Sequence, residues 1–179
     1  LGVRIVPLEA NRKVGIDNLR QALAATIREN RTPPRLGTFP EAFERELGIL
    51  GAHYREEHGG GGGDYWYSVV KGEELPYCGA AGVSMGLLVQ SDMATPCIAE
   101  LGTAEQIDEF LKPAIAGERI AALGVTEPGA GSDVAAIRTT ARKVGGDYVI
   151  NGAKTYITNG TRASFVTTLV KTDPDAGYG

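Results

Sequence analysis

Sulfur, imidazole and indole are scarce in this chain of 179 residues, which holds two Cys, two Met, two His and one Trp. Cys78 and Cys97 are too few for a disulfide framework and lack the C-x-x-C spacing of a metal or redox site, so both are expected as small buried hydrophobes. His53 and His58 have no carboxylate or cysteine at metal-ligand spacing, and no metal or catalytic role is assigned to them. No apolar run approaches the ~20 residues that cross a bilayer, and the first residues lack the charged, apolar and small-residue regions of a signal peptide. The 22 acidic and 18 basic residues are interspersed for a net charge of −4. That leaves no basic stripe to track a phosphate backbone. The expectation is a soluble, intracellular protein with no nucleic-acid partner and no membrane insertion.

What the chain does have is 25 glycines and a change of periodicity near residue 120. Leu19, Leu23 and Ile27 at four-residue spacing predict a helix over 16–30. Thr38 with Glu41, and Pro40 at an early position, open a second helix carrying Phe43, Leu47 and Leu50 and stopping at Gly51. Asp64 caps a third, with Trp66, Val69, Val70 and Leu75, that ends before Pro76. A fourth, apolar helix is expected between about Ala80 and Leu101, and Thr103 with Gln106 caps a fifth carrying Ile107, Phe110 and Leu111. The run Gly59–Gly63 lacks the Gly-Lys-Ser/Thr ending of a phosphate loop and reads as a flexible connector.

Beyond Ala122 the pattern alternates. Residues 138–144 read as a strand, Gly145-Gly146 as its turn and Tyr148–Ile150 as its partner. Asn151-Gly152 then predicts another hairpin into a strand over Ala153–Thr158, and Asn159-Gly160 leads into the apolar run Ala163–Val170. The expected architecture is α+β: an unassigned segment 1–15, an all-α domain over 16–120 and an incomplete antiparallel β-meander over 121–179. Open strand edges of such a sheet predict poor stability or aggregation.

The richest stretch chemically is GVTEPGAGSD, Gly124 to Asp133. Gly129 and Gly131 allow positive φ and close backbone approach, Pro128 stiffens the turn, and Thr126 and Ser132 supply hydroxyls, as suits a nest for phosphate. On residues alone, such a Gly/Pro/Ser turn entering a strand is more often plain loop punctuation than a ligand nest.

Gly124, Val125, Thr126, Glu127, Ala130, Gly131, Ser132 and Asp133 together resemble the first signature of the acyl-CoA dehydrogenase family. DYVINGAKTYITNG, residues 147–160, resembles that family's second flavin-contacting segment. The resemblance covers roughly residues 16–175 and implies FAD as cofactor, with Val125 and Thr126 at the pyrimidine edge of the flavin, Gly131 and Ser132 at the pyrophosphate, and Leu123 packed beside the ring. It places Tyr156, where the family usually has Trp, over the flavin, with Thr158 near N5; on one strand the two would share a face. It gives Ser132 a second role toward the acyl-CoA thioester arm and makes Ser84, Met85 and Leu88 candidates for the acyl-pocket wall.

The implied reaction is oxidation of an acyl-CoA thioester to the trans-2-enoyl-CoA, with electrons passed to an electron-transfer flavoprotein, in a bacterial cytoplasm or mitochondrial matrix. The full-length protein would be a homo-oligomer. The family's catalytic base is a Glu of a C-terminal helical bundle with no counterpart in these residues, and Glu127 has a structural place in the motif. No catalytic residue is therefore assigned in this chain. The alternatives are a noncatalytic flavin- or partner-binding remnant, or an acyl-CoA oxidase or flavin monooxygenase relative.

Overall fold

A computed structural model describes residues 48–173 and, before them, Gln21 alone. The expected helix over 16–30, apart from Gln21, and most of the one stopping at Gly51 lie outside the described residues.

Helix α1, Tyr65–Glu74, starts where Asp64 Oδ1 accepts from Trp66 N at 3.0 Å. It turns Tyr67 and Val70 inward, where they pack with Ile49, Leu50, Leu75 and Leu87 into the first core cluster. The glycine run before it is not a loose linker. Gly61, Gly62 and Gly63 donate backbone hydrogen bonds to Gly51, Tyr54 and Ala52 at 2.8–2.9 Å. A Cβ at Gly60 would collide with the Tyr54 carbonyl, and one at Gly63 would lie 2.6 Å from the Ala52 carbonyl oxygen. Glycine is needed here because two backbones touch.

The single apolar helix expected over 80–101 is broken into three pieces. Helix α2, Ala81–Leu88, widens into a π turn over Val89–Ala94, and α3, Pro96–Leu101, follows with Pro96 in its first turn. Proline cannot continue the preceding hydrogen-bond ladder, so the register changes there. Helix α4, Ala104–Gln106, opens with the expected capping box, Gln106 N donating to Thr103 Oγ1 and Thr103 N to Gln106 Oε1. It runs through a second wide turn, Ile107–Leu111, into α5, Lys112–Ile115. Leu111 and Ile115 pack with Tyr54 into the second cluster. Contrary to expectation neither cysteine is fully buried: Cys78 is half-buried and Cys97 exposed.

Strands β1, Ala121–Gly124, β2, Thr140–Val144, β3, Asp147–Asn151, and β4, Phe165–Thr168, follow the helices. β2 and β3 form the expected antiparallel hairpin, its turn made by Gly145 at φ 63° and Gly146. The meander ends there. β4 pairs in parallel with β1, Leu123 opposite Thr167, across a long irregular connection. Residues 153–158 are not a strand, and Tyr156 and Asn159 both sit at positive φ, 55° and 65°. A helical region thus precedes a small, partial β region.

The π turn joins the two. Gln90 Nε2 donates to the Ala114 and Arg119 carbonyls, and its Oε1 accepts from Ala121 N at the start of β1. Thr167 Oγ1 on β4 donates to the Ala94 carbonyl at 2.7 Å. Among the described residues no helix is long and apolar enough to cross a membrane, and no group of three or more His, Cys, Asp or Glu could hold a metal ion.

Candidate functional site

β1 ends at Gly124, and the chain leaves it as a loop folded around one carboxylate. Glu127 and Ala130 exchange backbone hydrogen bonds of 2.7 and 3.2 Å across Pro128-Gly129, closing a tight turn. Neither Gly129 nor Gly131 has positive φ, so the expected left-handed glycines are not what shapes this loop. Its shape comes from Glu127, whose buried side chain accepts from Arg138 N at 2.6 Å, Thr139 N at 3.0 Å and Lys154 Nζ at 2.8 Å. The Lys154 ammonium first, with the hydrogen bonds at residues 138 and 139, holds the carboxyl down to about 2. It is ionised at neutral pH but committed on its available oxygens, which removes it as a proton acceptor.

Lys154 also donates to the Val125 carbonyl at 3.0 Å, and Thr155 N donates to the Thr126 carbonyl at 2.9 Å. These bonds bring the two motif segments side by side. The neighbouring Gly152, at φ 158°, is packed so closely on Thr139 that a Cβ would collide with its Oγ1. Asn159 fixes the far end of the second segment, its Nδ2 donating to the Gly86 carbonyl on α2 and the Ala121 carbonyl on β1.

Against this frame the site residues fall into two groups. Leu123, Val125, Thr126, Gly131 and Thr158 are half-buried, with Ser132 exposed. The hydroxyls of Thr126, Ser132 and Thr158, and the N–H groups of Thr126, Gly131 and Ser132, have no hydrogen-bond partner among the described residues. Tyr156 is 90% exposed and, with no strand to carry it, does not share a strand face with Thr158. On α2, Met85 is exposed, Leu88 packs against the first core cluster, and Ser84 is buried with its hydroxyl donating to the Leu75 carbonyl at 2.9 Å. A cavity of about 240 Å³ behind the loop is lined by residues including Pro128, Arg138 and Thr139, but by none of Thr126, Ser132, Tyr156 or Thr158.

Sequence reasoning missed Lys154 and Asn159. Lys154 carries the one positive charge of its segment, 27 residues from the one carboxylate inside the first motif before Asp133, and that pairing was the available signal. Asn159 was read as turn punctuation, whereas its amide works over 38 and 73 residues of separation.

Comparison with known proteins follows the same division of the chain. The acyl-CoA dehydrogenase N-terminal domain matches residues 10–118, and the middle domain matches residues 122–179. The chain belongs to the acyl-CoA dehydrogenase family. It is 42% identical over 129 residues to the mitochondrial long-chain specific acyl-CoA dehydrogenase of Rattus norvegicus, covering 72% of this chain and 30% of that protein. With the short-chain specific acyl-CoA dehydrogenase of Clostridium acetobutylicum it shares 39% over 133 residues, 74% of this chain and 35% of the relative. The solved acyl-CoA dehydrogenase of Geobacillus kaustophilus superposes with a TM-score of 0.79 at 37% identity, over 95% of this chain and 46% of that one. The chain therefore spans between about a third and a half of the length of these members of the acyl-CoA dehydrogenase family.

Proposed function

We propose that this chain supplies the flavin-holding half of an acyl-CoA dehydrogenase: it binds FAD through the loop 123–132 and the segment 156–158, and presents it to an acyl-CoA thioester. The observation carrying this reading is the pair of bonds from Lys154 and Thr155 to the Val125 and Thr126 carbonyls, which join the two motifs while leaving three hydroxyls and several N–H groups uncommitted. That donor set fits a ligand rich in carbonyl and phosphate acceptors.

FAD, when bound, would accept the hydride leaving the β carbon as the α carbon gives up a proton. The chain's own part is orientation. Thr126 and Val125 offer donors at the pyrimidine edge, where negative charge develops, and donors held in place beforehand stabilise it without reorganising. Gly131 and Ser132 would hold the pyrophosphate, Leu123 would pack beside the ring, Thr158 would serve its reacting edge and Tyr156 would stack on it, with Ser132 also serving the thioester arm. On α2, Met85 and Leu88 form the acyl-pocket wall, Met85 with its exposed side chain and Leu88 from the core side. Ser84 contributes shape, since its hydroxyl is already used. The proton acceptor is not Glu127, and lies outside the described residues. In the full-length protein, a homo-oligomer, electrons pass on to an electron-transfer flavoprotein.

The test is flavin retention. The purified chain, reconstituted with FAD and desalted, is expected to keep the two visible absorption bands of bound flavin. Thr158→Val and Ser132→Ala should each reduce the retained fraction, and undiminished retention in both would overturn the assignment. Flavin retention without enoyl-CoA formation in the presence of an artificial electron acceptor would favour the noncatalytic reading for this chain.

A further inference from the structure

We propose that Lys154 is a positioning residue for the cofactor, aiming the Thr126 N–H by holding the other side of the same peptide group. This rests on the FAD reading above. The Val125 carbonyl and the Thr126 N–H belong to one planar, trans peptide and point in opposite directions. Lys154 Nζ donates to that carbonyl at 3.0 Å, so the N–H is directed away from the ammonium. The next peptide is pinned as well: Thr155 N donates to the Thr126 carbonyl and Glu127 N donates to the Ala130 carbonyl. Two successive peptide planes are thus fixed by groups on the partner segment and across the turn, and the Thr126 N–H of the first plane is left without a protein partner among the described residues.

The charge matters as well as the geometry. An ammonium on a carbonyl oxygen polarises the peptide and strengthens its N–H as a donor, the more so at a side chain only 11% exposed. Glu127, 2.8 Å away, keeps the ammonium in place and compensates its burial. A compact ammonium with three donors serves two acceptors at this spacing. The planar fork of arginine, with its donors fixed in one plane, does not reproduce both bonds in the same space.

The experiment measures FAD affinity by fluorescence titration at a temperature where each cofactor-free variant is folded, together with the Thr126 and Thr155 amide resonances of the cofactor-free chain. Lys154→Met is expected to weaken FAD binding by about 10- to 100-fold, by analogy with the outer partners that orient metal ligands. It should also shift the Thr126 amide resonance and speed Thr155 amide exchange. Lys154→Arg, which keeps the charge and is the gentler change, should weaken binding about tenfold on the same scale. A merely structural lysine predicts a lower melting temperature with the affinity of the folded fraction within about twofold and the Thr126 amide unmoved; that result in both variants overturns the proposal. Failure of the unmutated chain to bind FAD would instead sink the FAD reading, and this inference with it. Tight binding by the unmutated chain and both variants alike sinks only the role of Lys154.

Discussion

Lys71 in the helical region is buried and Lys154 in the β region is half-buried, and both stand 2.8 Å from a carboxylate oxygen. They are held in opposite ways. Lys71 is 2% exposed, and burial lowers its pKa against the pull of Asp92, which is itself 26% exposed and shared with Ser68. In the β region the carboxylate is the favoured partner: Glu127 is held near 2 by one ammonium and two backbone N–H groups. The helical pair has the buried Ser91 hydroxyl beside it, which accepts from Lys71 Nζ at 2.6 Å, and carries an electrostatic cost that burial imposes on Lys71 and the surrounding fold offsets. The β pair sits where few apolar groups, Ala121, Ala122, Ile137 and Ala141, are buried, so polar bonds carry much of the shape. A scaffold can tolerate a strained charge under good packing, whereas a ligand loop with little apolar area is fixed by fully satisfied charge.

The sharpest way to break this contrast is to remove each counter-charge. Asp92→Asn leaves the Lys71 ammonium buried and uncompensated, and should lower the unfolding free energy at pH 7 by about 3 kcal/mol, at the low end for such pairs because Asp92 is partly exposed. The sign of its pH dependence is fixed. The folded pKa of Lys71 lies below its unfolded value of 10.5, so the unfolded chain binds more protons between the two, and stability rises with pH in that window. The deficit of Asp92→Asn should therefore shrink in urea titrations as pH approaches 10.5. A constant deficit would mean that Lys71 is not strained.

A smaller effect is expected from Glu127, whose depressed pKa stabilises the fold instead of costing it, while stability again rises with pH across its window. Its folded pKa is depressed to about 2 from 4.5, so its contribution is complete above pH 4.5 and is lost as pH falls toward 2. Glu127→Gln should flatten the stability curve across that acid window while leaving the Lys71 behaviour at high pH untouched. An unchanged acid slope in the variant would show that the loop does not depend on this carboxylate.

The same contrast explains what the residues disclosed in advance. Asp64, the Thr103–Gln106 capping box and the Gly145-Gly146 hairpin were legible because each acts within a few residues of itself. The motif segments were legible as a flavin site only through resemblance to a family. Residues 153–158 look like a strand because Thr155, Tyr156 and Ile157 favour one. Their backbone is instead set by Thr126, and the Asn159 turn beyond them by Gly86, partners too distant in sequence for local periodicity to register. The parallel β1–β4 pair was hidden for the same reason, since a parallel register requires a long crossover that alternation does not encode. The glycine run misled because composition reports flexibility, while the close approach to residues 51–54 that makes glycine necessary is tertiary.

Tyr156 offers the smallest and most discriminating test of the β side. It holds φ 55°, a conformation that costs a non-glycine residue roughly 1–2 kcal/mol, while its side chain remains 90% exposed and recovers little by packing within the chain. Tyr156→Gly relieves that strain but restores backbone freedom to the unfolded chain, a partial offset of roughly 0.5–1 kcal/mol. The cofactor-free variant should be as stable as the parent or more stable by up to about 1 kcal/mol in thermal melts, the difference of those two terms. If the ring stacks on the flavin, the same variant loses FAD affinity, and Tyr156→Trp, with the larger aromatic face, regains or exceeds it. Stability and affinity then move in opposite directions at one residue, as expected where local strain serves a ligand. If Tyr156→Gly lowers stability and leaves affinity unchanged, the ring contributes to the fold, and the β region is held by packing after all.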